Sequence, residues 1–112
     1  MSSENPRFMR ILVFFDLPVV KKEQRKIYTR FRNFLLKDGY YMLQFSVYVR
    51  ICRGRDTIEK HLNRLKLSVP AKGSVRYLLI TDKQYNNMGF LVSKPKVVKK
   101  LKKKNADQLV LF

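Results

Sequence analysis

The sequence predicts an α+β fold of one domain, a βαββαβ sandwich with two helices on one face of an antiparallel sheet. Three observations predict it. An apolar run rich in β-formers opens the domain. Two stretches of helical period then alternate with shorter strand-like stretches, and Gly or Pro punctuates the joins.

Residues 1–8 are polar, hold a proline and show no period, which is expected of a disordered leader. The domain itself is expected over 9–92. Residues 9–15 are apolar apart from Arg10 and are bounded by Asp16 and Pro18, as in a buried central strand. From 21 to 37 the period becomes helical. Ile27, Phe31, Phe34 and Leu35 share one face, Lys22, Lys26, Thr29 and Asn33 the opposite one, and Gly39 is placed to stop the helix. Residues 40–44 and 46–52 read as two strands with a very short join. In the second, Val47, Val49 and Ile51 face one way and Ser46, Tyr48, Arg50 and Cys52 the other.

A second helix is expected over 54–67, with Ile58, Leu62 and Leu65 in helical register, ended by Pro70 and Gly73. Residues 75–81 read as a fourth strand, and 90–92 are the candidate for a short fifth. A lysine-rich linker over 93–105 and a short apolar C-terminal strand over 106–112 complete the chain. This order is the ferredoxin-like arrangement. It raises one demand. The first strand is apolar at both parities, yet two helices cover only one face, so a second copy of the chain is expected on the other and the molecule is read as a homodimer.

Composition narrows the partners. The chain has 112 residues, 25 Lys and Arg against 8 Asp and Glu, and a formal net charge of +17. That charge favours a polyanion and salt-sensitive association. No apolar run approaches the roughly 18 residues of a membrane span, and the run 11–15 is too short for a secretory signal. One cysteine, Cys52, allows no intrachain disulfide, in keeping with a cytoplasmic location; it is expected as a small buried strand residue.

No pair among Glu4, Asp16, Glu23, Asp38, Asp56, Glu59, Asp82 and Asp107 has the spacing of a carboxylate metal cluster. The one histidine, His61, is expected as a solvated residue on the surface of the second helix. One Cys and one His exclude a zinc site and give no support to a nucleophilic triad. Asp16 stands apart, because it closes the central strand beside the loop into the first helix. It reads either as a strand-end Asp or as a metal ligand. A single carboxylate is too few for Mg²⁺, so the second reading requires Asp16 from two subunits near a dimer axis.

Basic residues recur with Glu23 as the one acid between 21 and 37: Lys21, Lys22, Arg25, Lys26, Arg30 and Arg32. Arg53 and Arg55 follow the third strand, and Arg76 lies on the fourth. These are the candidate nucleic-acid contacts, since a merely solvated helix would mix signs. The RNA-recognition stacking signature is absent, which favours backbone contact with a duplex over readout of single-stranded bases.

The stretches MRILVFFDLP at 9–18, YTRFRNFL at 28–35, GY at 39–40 and QFSVY at 44–48 resemble the small CRISPR-associated adaptation protein, the non-catalytic partner of the CRISPR integrase, often called an endoribonuclease. The resemblance covers about 9–84, with a weaker match at 109–112. It implies a ferredoxin-like homodimer that bridges integrase dimers and holds duplex DNA during spacer acquisition. It also implies a possible Mg²⁺-dependent nuclease using Asp16, on RNA or duplex DNA. By the same resemblance, Leu109, Val110, Leu111 and Phe112 would dock on the integrase subunit by strand addition. An RNA-binding or ribosome-associated ferredoxin-like protein is the further reading that charge and fold leave open.

Overall fold

The structure, a computed structural model, describes residues 8–93. The chain runs β1 (Phe8–Asp16), α1 (Lys22–Lys37), β2 (Tyr41–Gln44), β3 (Val47–Arg53), α2 (Arg55–Ser68), β4 (Ser74–Thr81) and α3 (Asp82–Asn86). The strands form one sheet in the order β2-β3-β1-β4, with every neighbouring pair antiparallel. Each long helix therefore connects two parallel strands that have another strand between them, the split βαβ unit of the ferredoxin-like fold.

Period 2 decides which residues of β1 meet the helices. Ile11, Val13 and Phe15 lie in one core with Phe31 and Leu35 of α1, Ile58 and Leu65 of α2, and Tyr48 and Cys52 of β3. Phe15 sits at its centre, edge-on to Phe31 with ring centroids 5.2 Å apart and 5.6 Å from both Tyr28 and Tyr48. Such tilted pairs add roughly 0.5–1.5 kcal/mol each beyond burial. Cys52 is fully buried in this core, and burial pushes its thiol above the usual range.

The opposite parity of β1 carries Arg10, Leu12, Phe14 and Asp16. Cross-strand register places Leu12 beside Val49 and Leu78, Arg10 beside Ile51 and Ile80, and Phe14 beside Val47 and Arg76. Leu12 and Val49 are buried, whereas Phe14, Ile51 and Leu78 stay exposed, with Leu78 at 51%. This face is not bare at one end. There α3 folds back, Arg10 bonds Asp82 at 2.9 Å and the Tyr41 hydroxyl at 2.7 Å, and its guanidinium lies 3.9 Å from the Tyr85 ring centroid.

Three sequence expectations change, and one falls outside the described residues. Phe8 pairs with Arg53, so β1 begins one residue earlier, inside the expected leader. Residues 90–92 form no strand; Phe90, Leu91 and Val92 are exposed, and the ordered element before them is α3. A Thr81 cap explains that helix: its hydroxyl accepts from Gln84 N, and the Gln84 side chain accepts from Thr81 N, a reciprocal capping box. His61, expected in solvent, is 3% exposed. The linker and C-terminal strand expected over 93–105 and 106–112, with Leu109, Val110, Leu111 and Phe112, lie outside the described residues except for Ser93.

Candidate nucleic-acid interface

Asp16 ends β1 opposite Ser74, and its parity puts it on the incompletely covered sheet face together with Phe14 and Arg76. Gly73 shapes that strand end. Its φ of +97° is a conformation that glycine tolerates, and an added Cβ would stand 2.8 Å from the Asp16 carbonyl oxygen and 2.7 Å from the Leu17 side chain. Around Asp16 lies an open depression of about 450 Å³, bordered by Phe14, Phe45, Ser46, Ser74 and Arg76. Of the predicted cations, Arg76 alone shares this depression with Asp16.

Among the described residues no group of three or more His, Cys, Asp and Glu side chains could hold a metal ion. One chain offers one carboxylate at this place, which does not fit Mg²⁺, an ion that keeps its waters unless carboxylates and phosphate oxygens together replace them.

The remaining cations fall into separate places. Lys22, Arg25, Lys26 and Arg30 recur at helical spacing along α1 and, with Thr29 and Asn33, line a shallow trough on its outer side. Arg25 is also a loop fastener, because its guanidinium donates to the carbonyls of Val19 at 3.2 Å and Val20 at 2.7 Å. Lys21 is the N-cap residue, its backbone N–H donating to Gln24 Oε1 at 2.8 Å. Arg32, though exposed, donates to the Tyr48 hydroxyl at 2.9 Å. Arg53 lies with its guanidinium 5.1 Å from the Phe8 ring centroid, and Arg55 opens α2. Since Arg53 pairs with the first residue of β1 and Asp16 is the last, Arg53 and Asp16 occupy opposite ends of the sheet. The trough on α1 is thus the one place where several predicted contacts converge.

The family model described as CRISPR associated protein Cas2 matches residues 9–88. A protein of Acidovorax ebreus named CRISPR-associated endoribonuclease Cas2 is 55% identical over 104 residues, covering 93% of this chain and 100% of the relative. Proteins of the same name from Campylobacter jejuni and Ligilactobacillus salivarius are 42% and 45% identical, over 95% and 77% of this chain and 73% and 85% of theirs. The chain belongs to the Cas2 family.

Two constellations of this Cas2 family member escape a reading of its sequence. The first is buried. The Asp38 carboxylate, at the C-cap of α1, meets His61 Nδ1 at 2.7 Å and the Arg64 guanidinium at 2.7 Å, both from α2, while Arg50 donates to the Asp38 carbonyl at 2.7 Å. Burial pushes the Asp38 carboxyl up, but its hydrogen bonds with His61 and Arg64 outweigh that and hold it below its ordinary value. Asp38 and His61 are 23 positions apart, and nothing local between them signals this contact. The second is the hairpin tip. Ser46 has a φ of +63°, the one positive φ outside glycine among the described residues, and Phe45 beside it is 80% exposed. A two-residue join between strands foretells a left-handed residue here, though not the exposed aromatic. Among the described residues no helix is long and apolar enough to cross a membrane.

Proposed function

We infer that this protein is a homodimeric scaffold of CRISPR adaptation, which binds duplex DNA and bridges integrase dimers while new spacers are acquired. The observation that carries it is the separation of two surfaces. The sheet face with exposed Phe14, Ile51 and Leu78 suits a second copy, and Lys22, Lys26 and Arg30, in the trough on α1 beside the engaged Arg25, remain free for phosphates. Contacts of that kind give register on a duplex with little sequence preference and a steep salt dependence. Leu109, Val110, Leu111 and Phe112 would be the integrase contact, and the chain would work in the cytoplasm. The test is integration by the reconstituted complex. Salt-sensitive binding of duplex DNA in the presence of integrase, and integration that survives Asp16→Ala, are expected. A folded Asp16→Ala dimer without integration would overturn a purely scaffolding role.

A second reading is a Mg²⁺-dependent endonuclease on RNA or duplex DNA, with Asp16 of both subunits as ligand and catalytic carboxylate. It is favoured by the position of Asp16 on the face a second copy would cover, which could double the carboxylate count, and by the word endoribonuclease in the relatives' names. Cleavage that requires Mg²⁺, persists through repeated purification and disappears in Asp16→Ala is expected. Cleavage unchanged in that variant would identify a contaminant.

A further inference from the structure

The hairpin between β2 and β3 is built more firmly than a two-residue connection requires. Ser46 is held in the left-handed region by two separate bonds: its carbonyl accepts from Phe15 N at 3.1 Å, and its hydroxyl shares a hydrogen bond with the Tyr28 hydroxyl at 3.2 Å. A non-glycine residue in that region is strained, and strain fixed by several contacts gathers where a side chain must be aimed. The side chain aimed here is Phe45. Its ring lies nearly parallel to Tyr28, centroids 6.4 Å apart at 26°, and Tyr28 in turn packs on the buried Phe15. A core aromatic thus backs the ring, while 80% of the residue is left to solvent.

Phe45 borders the same depression as Asp16, Ser74 and Arg76. Its volume of about 450 Å³ is in the range of small-ligand sites, roughly 300–1,000 Å³. An apolar ring supported from behind and a guanidinium around one hollow match two parts of one unpaired nucleotide, the base and its phosphate. A base inside a duplex is already stacked on both faces and cannot use such a ring, whereas an unpaired base can.

We propose that Phe45 is the stacking platform for one unpaired nucleobase, and that it gives the Asp16 depression a preference for single-stranded over duplex nucleic acid. This rests on the nucleic-acid-binding reading above and requires that a second copy, seated on the sheet around Ile51 and Leu78, leave the depression open at the Asp16 end of β1. Arg76 takes the adjoining phosphate, and the trough on α1 binds duplex independently of Phe45.

The test uses the full chain and two probes of one sequence, a short single-stranded RNA carrying 2-aminopurine and the corresponding duplex. Phe45→Ala is expected to weaken the single strand about tenfold, the loss of one stacked base, and the duplex by less than about twofold. Phe45→Trp is expected to restore single-strand binding. Because the natural chain has no tryptophan, quenching of that single indole by the RNA reports stacking directly. Equal effects of Phe45→Ala on both probes, or none on the single strand, would overturn the proposal while leaving duplex binding intact. Loss of self-association in Phe45→Ala, with single-strand binding unchanged, would make Phe45 an interface residue and overturn it as well. Failure of the natural chain to bind either probe at low salt would remove the nucleic-acid reading itself.

Discussion

His61 Nδ1 lies 2.7 Å from Asp38 Oδ2, so the one histidine of the chain ties α2 to the C-terminal cap of α1. Both side chains are buried, at 3% and 6% exposure. The contact closes the helical layer above the sheet, since Arg50 of β3 bonds the Asp38 carbonyl from below.

Asp38→Ala is expected to destabilise the fold by about 2–3 kcal/mol, because it strands the buried His61 and removes the carboxylate that pairs Arg64. Arg64→Ala should cost less than about 1 kcal/mol, since the Arg64 side chain is 52% exposed and its pairing is screened. Urea unfolding of the two variants checks the ranking.

The lowered pKa of Asp38 fixes a pH dependence. Its contribution is fully present well above the unfolded carboxyl value of about 3.9. It is lost as pH falls below that value and through the lower folded value, because the unfolded chain takes up the proton first. The stability difference between the natural chain and Asp38→Asn should therefore shrink on acidification below about pH 4, and remain level towards neutrality in the Asp38 component.

Gly73→Ala should destabilise the protein by about 1–3 kcal/mol, since it combines a φ of +97° with a Cβ too close to Leu17 and Asp16. Calorimetry gives the stability change. A Gly73→Ser variant should behave alike, as the barrier is the Cβ common to both.

Leu78→Asp places a charge on the exposed sheet face opposite Leu12. If a second copy covers this face, the variant sediments as a folded monomer at concentrations where the natural chain is a dimer. An unchanged dimer would put the interface elsewhere.

Substituting Lys26 or Arg30 by Ala should flatten the salt dependence of duplex binding, each lost phosphate contact lowering the log–log slope by about 0.9. Arg32→Ala should leave that slope unchanged, because its guanidinium is engaged by the Tyr48 hydroxyl. Titrations at several salt concentrations separate the two classes.

The sequence by itself determined the βαββαβ order, the alternation of side chains along β1 and β3, and the need for cover on the second sheet face, but not which parity meets the helices or that α3 follows β4. These follow from periods of 2 and 3.6 residues, which are local and survive in the linear chain. The position of Asp16 at the end of the central strand was legible for the same reason. Tertiary structure alone decided which charges are available. Arg32 and Arg25 look like their neighbours on α1 until Tyr48 and the carbonyls of Val19 and Val20 come within bonding distance. It also decided that His61 is buried, because the Asp38 carboxylate that satisfies it comes from another helix. Contacts between distant elements depend on how the layers pack, and no local period encodes them.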